Sequence, residues 1–137
     1  MGRFNPRISI LLVDDDAMVR SILTEYLAAM GFKNVRVAKD GDDALKLIQD
    51  AKFAIDLVIS DWEMPEVTGL ALLKAVRSNS NRADTPFIMV TSQRSMERFK
   101  ITQAAQWKVN SYIMKPFRQN ILKTKIFEVM DWAERAA

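Results

Sequence analysis

The chain has 137 residues, 49% of them hydrophobic and 27% charged, which predicts one soluble globular domain with a core of its own. It contains no cysteine and no histidine. Disulfides, thiol nucleophiles, thiolate metal sites and histidine-based catalysis are therefore excluded. The net charge is +3, but the basic residues are scattered and never form a run of five. We expect a mildly basic surface and no nucleic-acid partner.

No segment of the sequence is typical of a membrane span. The apolar runs, such as residues 10–13, are far shorter than the roughly 20 residues that a bilayer-spanning helix needs. Residues 1–7 are basic but lead into no apolar stretch of signal-peptide length. We therefore expect a cytoplasmic protein without membrane insertion, with a single domain over residues 1–137 and a flexible N-terminus at residues 1–7.

Five short apolar runs alternate along the chain with five segments of helical periodicity. The predicted strands are residues 8–13, 34–38, 57–61, 87–90 and 111–114. The predicted helices cover about residues 18–30, 40–51, 69–77, 95–107 and 120–133. Strands and helices that alternate at this spacing favour an α/β fold, in which a parallel sheet carries helices on both faces.

The ends of the first two helices have clear signals. Asp16 and Asp40 stand at predicted N-caps, and Gly31 stands where a left-handed residue ends many helices. The apolar residues of the first helix recur at intervals of three and four, which predicts a buried stripe. Its members are Met18, Val19, Ile22, Leu23, Tyr26, Leu27 and Met30.

Residues 56–65 contain the candidate reactive group. Residues 57–59 are apolar without polar alternation, as in a strand buried on both faces. Pro65 ends the segment because proline has no N–H to give to a neighbouring strand. Asp61 is thereby placed at the carboxyl end of a strand, where open α/β sheets bind ligands. Taken alone, an aspartate here is more often an ordinary turn residue.

Other strands also end in polar residues. Asp14 and Asp15 follow the first strand, Thr91 the fourth and Lys115 the fifth. If the first strand lies between the second and third, and the fourth and fifth follow outward, these side chains converge with Asp61. Three adjacent carboxylates repel one another unless a cation lies among them. Because all the ligands are oxygens, the cation should be hard, either Mg²⁺ or Mn²⁺.

A lysine and a hydroxyl at the same edge suit a phosphoryl group. The ammonium offsets charge on the phosphate oxygens, and the hydroxyl of Thr91 donates a hydrogen bond to one of them. An aspartate can accept a phosphoryl group as an acyl phosphate. We therefore interpret Asp61 as the acceptor, Asp15 as the chief metal ligand and Asp14 as a secondary ligand or orienting group. Each residue alone has an ordinary explanation, such as a cap or a surface charge, but their joint occurrence favours the site.

The motifs around these residues resemble the receiver domain of bacterial two-component response regulators. The resemblance covers residues 8 to about 133, and its motifs lie at residues 11–15, 57–65, 69–70, 90–91 and 112–117. The Ser-Asp-Trp-x-Met-Pro form at residues 60–65 is most similar to the stand-alone chemotaxis regulators. The resemblance implies a flavodoxin-like (βα)5 three-layer sandwich with a parallel five-stranded sheet of order 2-1-3-4-5.

The resemblance also implies roles at the acceptor. Asp61 would take phosphate from a histidine kinase or from a small acyl-phosphate donor. Asp15, Asp61 and the backbone carbonyl of Glu63 would bind Mg²⁺, with Asp14 nearby. Glu63 is acidic where many family members have a neutral side chain. Together with Gln93 it is predicted to tune the lifetime of the acyl phosphate.

A second set of implied roles concerns the switch. Thr91 would move toward the phosphate and Tyr112 would turn inward behind it, while Lys115 precedes a Pro116 that is expected to be cis. The face formed by the fourth helix, fifth strand and fifth helix would then change its affinity for partners. The implied partners are a CheA-like sensor histidine kinase, the flagellar switch or another protein target, and a phosphatase. The protein is expected to be a monomer. It is also expected to have no enzymatic activity other than self-catalysed phosphotransfer and autodephosphorylation.

The sequence also makes predictions for three residues outside the acidic cluster, which are Trp62, Trp107 and Lys108. Trp62, beside the acceptor, is predicted to be half exposed. Lys108 stands where a positive φ is favoured, which predicts a locally different end of the fourth helix. Trp107 is either an exposed anchor for a partner or a partly buried packing residue.

Three other interpretations stay open. Residues 14–16 offer the Asp-x-Asp of Mg²⁺-dependent aspartyl-phosphate phosphohydrolases of the haloacid-dehalogenase group, but Met18 replaces their Thr or Val and no room is left for a cap. A receiver that is never phosphorylated would usually lack one of the site residues, all of which are present. A stand-alone receiver in a non-chemotaxis phosphorelay agrees with every motif.

Overall fold

The computed structural model describes residues 2–92 and 98–133. Its strands are β1 (Ser9–Val13), β2 (Asn34–Ala38), β3 (Leu57–Asp61), β4 (Phe87–Thr91) and β5 (Ser111–Met114). Its helices are α1 (Ala17–Ala29), α2 (Gly41–Gln49), α3 (Gly69–Ser78), α4 (Arg98–Gln106) and α5 (Gln119–Met130). All strand pairs are parallel and the order is β2-β1-β3-β4-β5. The predicted α/β fold and strand order are confirmed.

The sheet lies between two hydrophobic layers because successive strand residues point to opposite faces. Ile10 and Leu12 pack with α1 and α5, whereas Leu11 and Val13 pack on the side of α2, α3 and α4. Every residue of β3 and β4 is buried, as expected for central strands covered on both faces. Within the described part of the chain, no helix has the length and hydrophobicity needed to cross a membrane.

Helix α1 buries a narrower stripe than the sequence predicts. Leu23 and Leu27 are buried, but Met18 is 72% exposed and Ile22 is 41% exposed. Consecutive residues of a helix point about 100° apart, so turning Leu23 toward the sheet directs Ile22 to the side of the helix. The prediction that Met18 and Ile22 belong to the core is therefore wrong. Gly31 has the predicted left-handed conformation, with φ 101°.

Helix α4 is followed by a residue in the left-handed conformation, although that residue is a lysine, Lys108, and not a glycine. Lys108 has a φ of 58°, so the prediction of a different helix end is wrong. The guanidinium of Arg77 donates to the carbonyls of Trp107 and Lys108 at 3.2 and 2.9 Å. These hydrogen bonds offset the cost of placing a side chain at positive φ. The predicted start of the helix, at Ser95, lies outside the described residues.

Part of the N-terminal segment, for which the sequence predicts flexibility, is docked in the structure. The amide of Gly2 donates to the carbonyl of Asp131 at 2.7 Å. The ring of Phe4 lies 5.3–5.5 Å from the rings of Phe32, Phe127 and Trp132. Gly2 and Phe4 thus have defined packing partners, which the sequence pattern does not predict.

Candidate metal and phosphoryl-transfer site

Three acidic side chains meet at the carboxyl edge of the sheet. Asp14 follows β1 directly, Asp15 is the next residue, and Asp61 is the last residue of β3. One carboxylate oxygen of each lies within 4.8 Å of the others. Asp14 is fully buried and Asp61 is 6% exposed, whereas Asp15 is exposed. The strand order thus brings the predicted acids together.

Lys115 completes the cluster from the other side. Its Nζ lies 3.1 Å from Asp14 Oδ2 and 3.3 Å from Asp61 Oδ1. The backbone N–H of Lys115 donates to the carbonyl of Thr91 at 2.8 Å, which extends the pairing of β4 and β5 by one residue. The peptide bond between Lys115 and Pro116 is cis. The lysine therefore reaches the acids from the end of β5.

Asp14 is held in place on several sides. Its Oδ1 accepts the N–H of Asp16 at 2.9 Å, and its Oδ2 accepts Lys115. Its backbone carbonyl accepts Arg20 Nη1 at 2.8 Å. Asp15 lies exposed on the same edge. The restrained, buried Asp14 suits an orienting role, and the exposed Asp15 suits a ligand that a cation reaches from solvent.

The charges of the cluster do not balance. Burial and the carboxylate of Asp14 raise the pKa of Asp61 from 3.8 to about 6, against the opposing effect of Lys115. Burial alone would lower the pKa of the Lys115 amine, but Asp14 and Asp61 outweigh it and the pKa of Lys115 is raised. One ammonium thus faces three carboxylates. This surplus of negative charge, on oxygen donors alone, fits a hard divalent cation such as Mg²⁺ or Mn²⁺.

Two further residues fix the immediate surroundings of Asp61. Thr91 is fully buried, and its hydroxyl donates to the carbonyl of Ser92 at 3.1 Å. Gly69 packs so closely that a Cβ there would lie 2.3 Å from the carbonyl oxygen of Asp61. The N–H of Gly69 also donates to the carbonyl of Trp62 at 2.9 Å. The start of α3 therefore packs directly against the end of β3 at Asp61.

Trp62 is buried rather than half exposed, so that prediction is wrong. Its side chain is 3% exposed, because it points into the core on the side of α2, α3 and α4. The ring stacks on Tyr112, with centroids 6.4 Å apart and planes 13° apart. The hydroxyl of Tyr112 donates to the carbonyl of Ile101 in α4 at 3.3 Å. Tyr112 thus connects the segment after Asp61 to α4.

The remaining predicted residues fall in different places. The carboxylate of Glu63 points outward and accepts Lys100 Nζ at 2.7 Å. Gln93 lies outside the described residues. Trp107 is half buried with Lys74 Nζ 5.6 Å from its ring centroid, which favours the packing interpretation. Lys100 was not predicted, because its partner lies 37 residues away and no local pattern reports that contact.

The raised pKa of Asp61 predicts a pH-dependent gain in stability for Asp61→Asn. Folding takes up a proton between about pH 4 and pH 6, so the ionised carboxylate disfavours the folded state above pH 6. In the presence of a chelator, which removes divalent cations, Asp61→Asn should raise the free energy of unfolding at neutral pH by up to about 3 kcal/mol. The gain should shrink as the pH falls from 6 toward about 4.

Chemical denaturation across this pH range measures the effect, with Asp42→Asn as a control at an exposed aspartate. A gain that is the same at every pH would contradict the assignment of the raised pKa to Asp61.

Comparison with known proteins agrees with this site. A family model, "Response regulator receiver domain", matches residues 10–127. The chain is 39% identical over 124 residues to the chemotaxis protein CheY of Pseudomonas aeruginosa, covering 90% of this chain and 97% of that protein. It is 37% identical over 127 residues to the chemotaxis protein CheY-3 of Vibrio cholerae, covering 93% and 95%. The structure of Vibrio cholerae CheY4 superposes with a TM-score of 0.79 at 31% identity, covering 90% and 98%. The chain belongs to the receiver domain family of response regulators.

Proposed function

We propose that the protein is a phosphoacceptor in two-component signalling, and that Asp61 receives the phosphoryl group in a Mg²⁺-dependent reaction. The observation that carries this proposal is the cluster of Asp14, Asp15 and Asp61 within 4.8 Å, with Lys115 bonded to Asp14 and Asp61. Membership of the receiver family supports it. A phosphohydrolase of another class has no comparable support.

The reaction begins with an ionised Asp61. A carboxylate oxygen attacks the phosphorus of a phosphohistidine or of a small acyl phosphate. The bond from phosphorus to the donor nitrogen or oxygen breaks, its electron pair leaves with the donor, and an acyl phosphate forms. With a pKa of about 6, Asp61 is mostly ionised at neutral pH, so no separate base is required.

The other residues of the cluster offset the negative charge of the phosphoryl group, either directly or by holding a cation. Lys115, held by Asp14 at 3.1 Å, offsets the negative charge of the phosphoryl oxygens. Asp15, Asp61 and the backbone carbonyl of Glu63 are the groups that would hold Mg²⁺, with Asp14 nearby. When bound, the ion neutralises charge on the phosphoryl oxygens. Glu63 and Gln93 tune the rate at which water removes the group.

Phosphorylation would change the position of Tyr112 and the α4-β5-α5 face through Thr91. Its hydroxyl would leave the carbonyl of Ser92, to which it donates in this structure, and donate to a phosphoryl oxygen. Tyr112 would turn inward behind it. The face of α4, β5 and α5 would then change its affinity for partners, because only the phosphorylated state makes these contacts.

The circuit that we propose is chemotaxis, on the basis of the relatives named chemotaxis proteins. A CheA-like histidine kinase would be the phosphodonor, the flagellar switch the target, and a phosphatase an additional partner. We propose a cytoplasmic monomer without enzymatic activity beyond self-catalysed phosphotransfer and autodephosphorylation. A receiver in another phosphorelay is the alternative.

Incubation with acetyl phosphate and Mg²⁺ tests the acceptor. Intact mass spectrometry should detect one added phosphoryl group on the wild type and on Asp42→Asn, a control that leaves the site unchanged. Asp61→Asn should gain none, because the nucleophile is absent, and a chelator should prevent the reaction. Decay of the product in Glu63→Ala and Gln93→Ala reports whether these residues tune its lifetime. Undiminished phosphorylation of Asp61→Asn would contradict the proposal.

Binding of a flagellar-switch peptide tests the circuit. The affinity should rise when Mg²⁺ and beryllofluoride, a phosphoryl mimic, are present, because the mimic favours the active arrangement of the α4-β5-α5 face. Calorimetric titration measures both affinities, with Asp61→Asn as the variant that should not respond. Equal affinity in both states would count against chemotaxis while leaving the phosphoacceptor assignment in place.

A further inference from the structure

We infer that the two residues after the acceptor, Trp62 and Glu63, hold α4 and Tyr112 in the resting arrangement by direct contact. We call these contacts the 62–63 clamp. Glu63 contacts Lys100, and Trp62 contacts Tyr112, which in turn contacts Ile101. The role of the clamp in signalling rests on the proposed phosphorylation of Asp61, and it adds a link from the acceptor to α4 that does not pass through Thr91.

The ionic half of the clamp joins two elements. Glu63 lies in the loop after β3, and Lys100 lies in the first turn of α4. Their oxygen and nitrogen are 2.7 Å apart, with the side chains 55% and 29% exposed. By comparison, the exposed pair Lys46–Asp42 lies within the single helix α2. A pair that connects a loop to a helix restrains their relative position, whereas a pair within one helix does not.

The aromatic half of the clamp stacks a buried ring on a partly buried one. Trp62 is buried, and its ring lies nearly parallel to that of Tyr112. The Tyr112 hydroxyl donates to the carbonyl of Ile101, the residue next to Lys100. Adjacent residues of the acceptor loop therefore reach adjacent residues of α4, one by an ion pair and one through a stacked ring.

Helix α4 buries little apolar surface among its described side chains. Among its described side chains, at residues 100–106, only Ala104 is buried. An element with few buried apolar contacts has a low local stability, so a small number of specific contacts determines its position. The clamp provides two such contacts, at residues 100 and 101.

The clamp opposes activation because its contacts belong to the unmodified arrangement. If Tyr112 turns inward on phosphorylation, it loses the hydrogen bond to Ile101 and its present stack on Trp62. Contacts made in only one of two states shift the population toward that state. Removal of the clamp should therefore increase the population of the active arrangement and tighten the binding of a phosphoryl mimic.

Beryllofluoride affinity at saturating Mg²⁺ tests this inference, with Lys100→Ala, Glu63→Gln and the double variant. Lys100→Ala should bind roughly 2- to 5-fold tighter than the wild type, the range typical of an exposed ion pair. Lys100→Arg should restore the wild-type affinity. Lys46→Ala, the control within α2, should bind as the wild type does. The double variant should be no tighter than Lys100→Ala, because both substitutions remove the same pair.

Hydrogen exchange of α4 in the free protein provides a measurement that needs no phosphoryl mimic. The amides of α4 should exchange faster in Lys100→Ala than in the wild type or in Lys46→Ala. Tyr112→Leu, which loses both the stack and the hydroxyl, should accelerate exchange more than Tyr112→Phe.

The outcomes separate the two proposals. A wild type that binds beryllofluoride, with Lys100→Ala unchanged in both affinity and exchange, would overturn the clamp alone. A wild type that does not bind beryllofluoride would overturn the phosphoacceptor proposal and the signalling role of the clamp with it.

Discussion

Electrostatic repulsion among Asp14, Asp15 and Asp61 is the constraint on which the site depends. The parallel sheet brings these carboxylates together at its carboxyl edge, and burial of two of them limits the screening that water would provide. Lys115 is bonded to both buried acids. Its ammonium lowers the pKa of Asp61, but burial, and after it the carboxylate of Asp14, outweigh this effect and raise that pKa to about 6. In the cation site that we propose, such an arrangement would favour binding of the cation and would cost stability in its absence.

The fold maintains this arrangement through backbone contacts rather than through side-chain pairs alone. The hydrogen bond from Lys115 to Thr91 fixes the end of β5 against β4. Gly69 allows α3 to start against the carbonyl of Asp61, where any side chain would collide. The acids therefore keep their positions although they repel one another, and Lys115 is held beside them. For the reaction that we propose, this arrangement would preorganise the reacting groups.

The sequence predicts the elements of this fold well because their signals are local. The uninterrupted apolar run of β3, the caps at Asp16 and Asp40 and the glycine after α1 are read within a few residues. Met18 and Ile22 were misassigned because periodicity identifies an apolar face but does not fix which part of it meets the sheet. Lys108 was misjudged because Arg77, 31 residues earlier, stabilises its carbonyl. Trp62 was misplaced because its partner Tyr112 comes from another strand.

The same distinction applies to the site. The ends of strands can be located from the sequence. The polar residues at those ends are therefore predictable, and they are Asp14, Asp15, Asp61, Thr91 and Lys115. The contacts that connect the acceptor to α4, between Glu63 and Lys100 and between Trp62 and Tyr112, depend on how helix and loop meet in space. They have no sequence signal of their own. The residues of the site can thus be predicted from the sequence, whereas the contacts that connect them to α4 are seen only in the structure.

Calorimetric titration with Mg²⁺ alone, near neutral pH, tests the central claim most directly. If the surplus negative charge at the sheet edge creates a cation site, the wild type should bind one ion. Asp15→Asn should weaken that binding by at least roughly 10-fold, whereas Asp16→Asn, at an adjacent acid outside the cluster, should change it far less. Absence of binding in the wild type, or equal weakening by both substitutions, would contradict the claim.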